Sequence, residues 1–218
     1  MPKVTSVEPQ KKKKERFNVY IDGRFAFGAN LETILKYQIK SAKVFSEEQL
    51  SQIIRKEEIS KLFDATLKFL SYRPRSQKEV EDYLIGKISK KENIKFSQAK
   101  ESNLIAEVVS KLKNYKYLND IEFSKWWINS RTRSSPRGKM ILKSELFQKG
   151  IDREIIDDLI NNIKNQKPLA LKAIGKKLPR WQKLSNLEFK KKVYSFLISR
   201  GFDFDTIKEV VAQIEKKG

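Results

Sequence analysis

Hydrophobic positions change period along this chain near residue 58. Before it, Phe17, Val19 and Ile21 alternate with polar neighbours, Asp22-Gly23 follows, and Phe25-Ala26-Phe27 resumes the apolar run. Alternation turns one face of a strand inward, and Asp-Gly tolerates the positive φ of a type I′ turn, so a hairpin is predicted. Val4 to Val7 supplies a third strand, with Lys11 to Lys14 on the exposed turn leading back. Asn30 is placed to cap a short helix holding Leu31, Ile34 and Leu35, and Ser46 with Gln49 opens another as a capping box. Phe17, Tyr20, Phe25 and Phe27 are assigned to the core of this small module rather than to an aromatic platform, because so short a domain has few other apolar residues.

From Ile59 the period is helical. Leu62, Ala65, Thr66, Phe69 and Leu70 form one stripe, which ends at Arg73 because a proline follows. Ser76 and Glu79 make a second capping box ahead of Val80, Tyr83, Leu84 and Ile88. The polar stretch Ser89 to Lys100 leads to a helix over Leu104 to Leu112. Asn119 or Asp120 then caps a helix with Phe123, Trp127 and Ser130 in line. Arg137 to Lys149 is helical, Gly150 stops it, and Asp152 caps the next.

These helices repeat. Leu146-x-x-Lys149-Gly150-Ile151-Asp152-x-x-x-Ile156 matches Leu197-x-x-Arg200-Gly201-Phe202-Asp203-x-x-x-Ile207, and Leu84-x-x-Lys87-Ile88 is a weaker copy. The expected fold is mainly α: three tandem three-helix repeats in an elongated array, preceded by a small β-rich N-terminal module. The module takes 1–58, and the repeats take 59–118, 119–165 and 166–218.

Charge adds a partner class. With 47 Lys+Arg against 27 Asp+Glu, the formal charge is +20, which favours a polyanion through counterion release. Only 11 of the cations are Arg, so the Arg positions, which can grip phosphate with a fork, carry more information than the Lys. Chemistry, by contrast, is excluded more than suggested. There is no His and no Cys, hence no imidazole base, thiolate nucleophile, disulfide or conventional zinc site. Asp157-Asp158 diverge on a helix, and Asp203, near Asp205, is already used as a cap, so neither pair makes a nuclease centre. Gly86-Lys87, Gly138-Lys139 and Gly175-Lys176 lack the rest of a phosphate-binding loop. No cofactor and no metal are expected. No apolar run of about 18 residues appears and the N-terminus lacks an apolar leader, so a cytoplasmic protein without membrane contact is expected.

With the repeat in hand, the sequence resembles the RecX family of bacterial RecA regulators. Tyr72-Arg73-Pro74-Arg75-Ser76-x-x-Glu79-Val80 is similar to the family's RxRSxxEL segment. Leu118-Asn119-Asp120-x-x-Phe123-Ser124-x-x-Trp127-Ile128-x-Ser130-Arg131 resembles its LDDxxFAxxWVxSR helix, with Asn119 where the first Asp is common. Pro136-Arg137-Gly138-x-x-x-Leu142-x-x-Glu145-Leu146-x-x-Lys149-Gly150-Ile151 is similar to its G-x-x-x-[IL]-x-x-EL-x-x-KGI helix. Glu15 to Gly23 resembles the family's N-terminal hairpin. The resemblance covers nearly the whole chain and is weakest in 85–117 and 166–190; in the first repeat Gly86 precedes Lys87, so the Lys-Gly ending is displaced.

The resemblance implies a non-enzymatic protein that binds RecA-type recombinase filaments on single-stranded DNA, and a monomer is expected. It further implies inhibition of recombinase, ATPase and coprotease activities, with direct DNA binding, double-stranded DNA included. The alternative is a stand-alone DNA-binding protein. The basic residues suit either, because they recur at the elbow of each repeat: Arg73, Arg75 and Lys78; Arg131, Arg133, Arg137, Lys139 and Lys143; Lys176, Lys177, Arg180, Lys183, Lys190 and Lys191. Such a stripe would follow a phosphate backbone or a filament groove. The competing reading is a solvated surface with some Arg paired to Glu79 or Glu145. Trp127 is assigned to the core. Trp126, about 100° away on the same helix, is partly exposed; it either stacks on a base or a protein partner, or packs against the N-terminal module or a neighbouring repeat.

Overall fold

The computed structural model describes residues 1–11 and 13–215. Three strands, β1 (Val4–Gln10), β2 (Lys13–Ile21) and β3 (Arg24–Asn30), form an antiparallel sheet in that order. Asp22 and Gly23 have φ of 48° and 78°, the double positive φ that a type I′ hairpin requires. The expected lysine turn is shorter than predicted: Lys13 already pairs with Gln10, and Lys12 lies outside the described residues. Helix α1 (Leu31–Lys36) follows directly, and the Asn30 carboxamide oxygen accepts from the Thr33 amide at 2.7 Å as its cap.

The module's core is Val4, Val19, Ile21, Phe27, Ala29, Ile39, Phe45 and Ile53. Of the four aromatics assigned to it only Phe27 is buried, and Phe25 is 59% exposed. Tyr20 lies on the face opposite Val19 and Ile21 by plain alternation. For Phe25 the cause is a register shift between Val19 and Tyr20, which breaks its alternation with Phe27. Phe25 packs edge-on against Tyr20 instead.

Helix α2 (Glu47–Ser71) runs unbroken across the boundary expected at residue 58. Ser46 and Gln49 cap it reciprocally, with bonds of 3.1 and 3.0 Å, and no glycine or proline interrupts it before Pro74. It also buries Glu57, whose carboxylate takes the Arg16 guanidinium at 2.8 Å. The remaining elements are α3 (Gln77–Glu92), α4 (Phe96–Ala99), α5 (Asn103–Asn114), α6 (Asp120–Ser134), α7 (Lys139–Gln148), α8 (Arg153–Asn161), α9 (Lys167–Ile174), α10 (Leu178–Trp181), α11 (Asn186–Ser199) and α12 (Phe204–Glu215). The one-turn helices α4 and α10 are additions to the simple three-helix unit.

The chain forms two compact units. One combines Met1–Ser71 with Tyr83–Asn114, and the other combines Tyr72–Asp82 with Tyr115–Gly218. In the second, Phe123, Leu142, Leu146, Ile151, Ile156 and Ile160 make one core. Ala170, Ile174, Phe189, Val193, Leu197, Phe202, Ile207, Val210, Val211 and Ile214 make another. Among the described residues no helix is long and apolar enough to cross a membrane.

Candidate nucleic-acid interface

The first elbow does more than cap a helix. Ser76 Oγ accepts from the Glu79 amide at 3.2 Å, as a cap should, but the Glu79 carboxylate is taken up elsewhere. Arg73 grips it with both terminal nitrogens at 2.9 Å, and Lys149 Nζ adds a third bond at 2.6 Å. Burial by itself would raise the pKa of this carboxyl. The hydrogen bonds from Arg73 and Lys149 outweigh it and hold the group at about 2. Beside it, Arg131 Nε and the Trp127 indole N–H both donate to Glu145 Oε2 at 2.8 Å. The Arg131 guanidinium lies 4.5 Å from the Trp127 ring and that of Arg73 lies 5.7 Å from Trp126.

The two indoles correct the expected division of labour. Both are half-buried, and they flank Phe123 with ring centroids 6.0 and 5.9 Å away. A 100° offset separates small side chains, but an indole is wide enough to reach the same core residue from either side.

The same joint is built twice in this unit. The Asp120 carboxylate accepts from the Gln77 amide at 2.8 Å, capping α3 from the start of α6. Gln166 Oε1 accepts from the Lys139 amide at 2.8 Å, capping α7 from the start of α9. Gly150 and Gly201 each end a helix with φ of 75° and 81°. Each glycine sits against the beginning of the preceding repeat's second helix: a Cβ on Gly150 would lie 2.7 Å from Lys78 Cβ, and one on Gly201 would lie 2.6 Å from the Ile141 nitrogen. At the second joint the Gly138 amide donates to the Arg200 carbonyl at 2.8 Å and that of Met140 to the Gly201 carbonyl at 3.2 Å. Arg200 also donates to Ser135 Oγ at 2.8 Å. The basic-residue–glycine pair is therefore a docking element between repeats.

This sorts the predicted cations. Arg73 and Arg131 are held in ion pairs, Lys143 pairs with Asp157, and Lys190 with Glu215 at 2.9 Å. Lys78 makes a looser 3.3 Å pair with Asp82. Burial and the Arg73 charge lower the proton affinity of Arg75, which is half-buried beside Arg73 and Glu79. Arg137 lies beside Arg200, and its Nε is buried without a hydrogen-bond partner among the described residues. Lys177 lies over the Trp181 and Phe196 rings. Arg133, Lys139, Lys176, Lys177, Arg180, Lys183 and Lys191 make no ion pair among the described residues.

Two grooves hold part of this set. One, of 540 Å³, runs along α6 between Glu122, Lys125, Trp126, Asn129, Ser130, Arg133 and Ser134. The other, of 500 Å³, is lined by Trp181, Glu188, Lys191, Lys192, Ser195, Phe196 and Ser199. Each combines an indole with cations, the pairing that backbone tracking and base stacking use.

Residues 2–46 match the description "Regulatory protein RecX N-terminal domain", 119–160 "RecX, second three-helix domain" and 169–211 "RecX, third three-helix domain". The Regulatory protein RecX of Bacillus subtilis is 36% identical over 217 residues, covering 99% of this chain and 78% of its own. The chain belongs to the RecX family. The Listeria monocytogenes RecX is 31% identical over 213 residues, covering 97% of this chain and 75% of its own. A crystal structure of regulatory protein RecX superposes with a TM-score of 0.68 at 22% identity, over 96% of this chain and 98% of that one. RecX from Lactobacillus salivarius gives 0.59 at 26% identity, over 72% and 96%.

In this RecX chain, reading the sequence missed Asp120 and Gln166 as caps that act between repeats. Their only linear signal is a polar residue at the start of each unit. Their partners lie 43 and 27 positions away, beyond any periodic pattern.

Proposed function

We propose that this RecX-family chain is a cytoplasmic, monomeric, non-enzymatic regulator that binds RecA-type recombinase filaments on single-stranded DNA. It inhibits their recombinase, ATPase and coprotease activities. Family membership over nearly the full length supports the recombinase partner. The observation that carries the binding mode is the set of cations left unpaired on the repeats after the joints have taken theirs. Arg133, Lys139, Lys176, Lys177, Arg180, Lys183 and Lys191 supply the contacts to phosphate or to acidic filament surfaces, with Trp126 as a stacking surface beside Arg133. Arg73, Arg75, Arg131 and Arg137 act indirectly, by ordering the elbows that present this set, while Lys78, Lys143 and Lys190 are engaged in exposed ion pairs within a helix or a repeat.

The test is recombinase-dependent ATP hydrolysis on single-stranded DNA with this protein added below stoichiometry. Inhibition well under one molecule per recombinase is expected. Inhibition only when the DNA is saturated indicates a stand-alone DNA binder, and no effect removes the proposal. Arg133→Glu with Lys191→Glu should weaken DNA binding about tenfold at moderate salt and leave the melting temperature unchanged, because neither side chain is paired. Arg131→Glu should lower the melting temperature, because it places two carboxylates face to face at Glu145.

A further inference from the structure

A second basic concavity, on the N-terminal unit, involves none of the elbow residues. It is a pocket of 460 Å³ lined by Gln10, Arg16, Lys61, Asp64, Ala65, Lys68, Tyr83 and Lys87. The sequence places these residues there by ordinary periodicity. Lys61, Asp64, Ala65 and Lys68 share one face of α2 at i, i+3, i+4 and i+7, and Tyr83 and Lys87 lie one turn apart on α3. Arg16 comes from β2, where its guanidinium is pinned to Glu57 Oε2 at 2.8 Å and to the Gly28 carbonyl at 3.2 Å.

The charge in this pocket is one-sided. Four cations meet one lining carboxylate, Asp64, while Glu57 is buried and committed to Arg16 and the Asn30 amide. Among the described residues Lys61, Lys68 and Lys87 make no ion pair, and Lys87 lies 5.4 Å over the Tyr83 ring. That ring is fixed by stacking on Phe69 at 4.2 Å and by its hydroxyl, which donates to the Ala65 carbonyl. Burial and the Arg16 charge lower the proton affinity of Lys61, against the opposing pull of Glu57 and Glu58. Gly28 keeps the wall thin: a Cβ there would stand 2.7 Å from Gln10 Nε2 and 3.7 Å from Lys61 Nζ. Lysines on a solvated face diverge, whereas these cations converge from a strand and two helices.

We infer that this pocket is a phosphate site and that it takes a phosphodiester of a nucleic-acid strand. Its donors are amines, a guanidinium and a carboxamide, which suit backbone oxygens and read no base, so the contact is sequence-independent. The inference does not rest on the recombinase partner, since DNA binding by this chain alone tests it.

The experiment compares Lys68→Gln/Lys87→Gln with Lys40→Gln/Lys90→Gln, a matched loss of two exposed charges elsewhere on the same unit. Binding of fluorescent oligothymidylate is followed by anisotropy across a salt series, with unfolding curves confirming that both variants fold. The pocket variant should bind about tenfold more weakly, and its log-affinity against log-salt slope should shrink by about 0.7 per lost phosphate contact, with the control near wild type. Equal losses in both variants, or none in either, overturn the inference. So does a pocket variant that loses only inorganic tripolyphosphate binding, which assigns the pocket to a free anion. A variant that loses only the response to recombinase filaments assigns it to an acidic protein surface and overturns it too. In the wild-type chain, bound oligonucleotide should shield Lys61, Lys68 and Lys87 from an amine-acylating reagent; unshielded lysines count against the site without any substitution.

Discussion

Gly138→Ala is expected to destabilise the C-terminal unit by about 3 kcal/mol and lower its melting temperature by roughly 6–12 °C. The backbone at Gly138 has φ −77° and ψ 168°, which any residue adopts, so conformational preference is not the cause. The cause is steric. A Cβ there would lie 2.1 Å from the Gly201 carbonyl oxygen and 2.4 Å from the Phe202 nitrogen, both backbone atoms of a packed turn. Relief requires the two repeats to part, which gives up the Gly138–Arg200 and Met140–Gly201 backbone bonds together. Hydrogen exchange at the Gly138 and Met140 amides should therefore accelerate more than exchange in α8. Gly86→Ala is the control. It sits inside α3 with nothing within 4 Å of its new methyl, so the same exchange should stabilise by about 0.5–1 kcal/mol. Equal effects at the two glycines would refute the close-packed joint.

Glu79→Gln should cost about 2 kcal/mol near neutral pH, because it keeps the shape of the side chain but leaves Arg73 and Lys149 without their anion. The pH dependence gives the sign. The folded carboxyl titrates at about 2 against an ordinary value of 4.5. A depressed folded value means that the stabilisation is present above pH 4.5 and is lost as pH falls toward 2, since the unfolded chain takes up the proton first. The gap in melting temperature between wild type and E79Q should thus be constant from pH 7 to 5 and close by pH 2. A gap independent of pH across that range would show that the carboxylate charge contributes nothing.

Both results concern residues whose class was readable in the sequence and whose use was not. The Ser76–Glu79 spacing correctly predicts a capped helix start, yet only half of the capping box forms. The Glu79 side chain can return to its own helix or reach a distant cation, and spacing cannot rank these, because Lys149 lies 70 positions away. The Lys149-Gly150 and Arg200-Gly201 matches identify helix ends correctly, since positive φ is a local demand. That each end docks on an earlier repeat depends on contacts such as Gly138 against Arg200, which no period encodes. For the same reason the basic elbows look uniform in sequence, while in the structure Arg73 and Arg131 are paired and Arg133 is not.

The sequence by itself determined the hairpin, the Asn30, Ser46 and Asp152 caps, the mainly helical class, the repeat and the family resemblance. Each of these follows from local φ preference, hydrophobic period or ordered motifs. The sequence left the cap of α6 between Asn119 and Asp120, which the structure gives to Asn119. The continuity of α2 through residue 58 agrees with a sequence that has no glycine or proline there. Tertiary structure alone decided that Phe25 faces outward and which cations are spent within the protein. It also assembled Arg16, Lys61, Lys68 and Lys87 into one pocket. Those outcomes depend on which distant group supplies the counter-charge or the packing partner, a property of the folded neighbourhood that linear spacing does not carry.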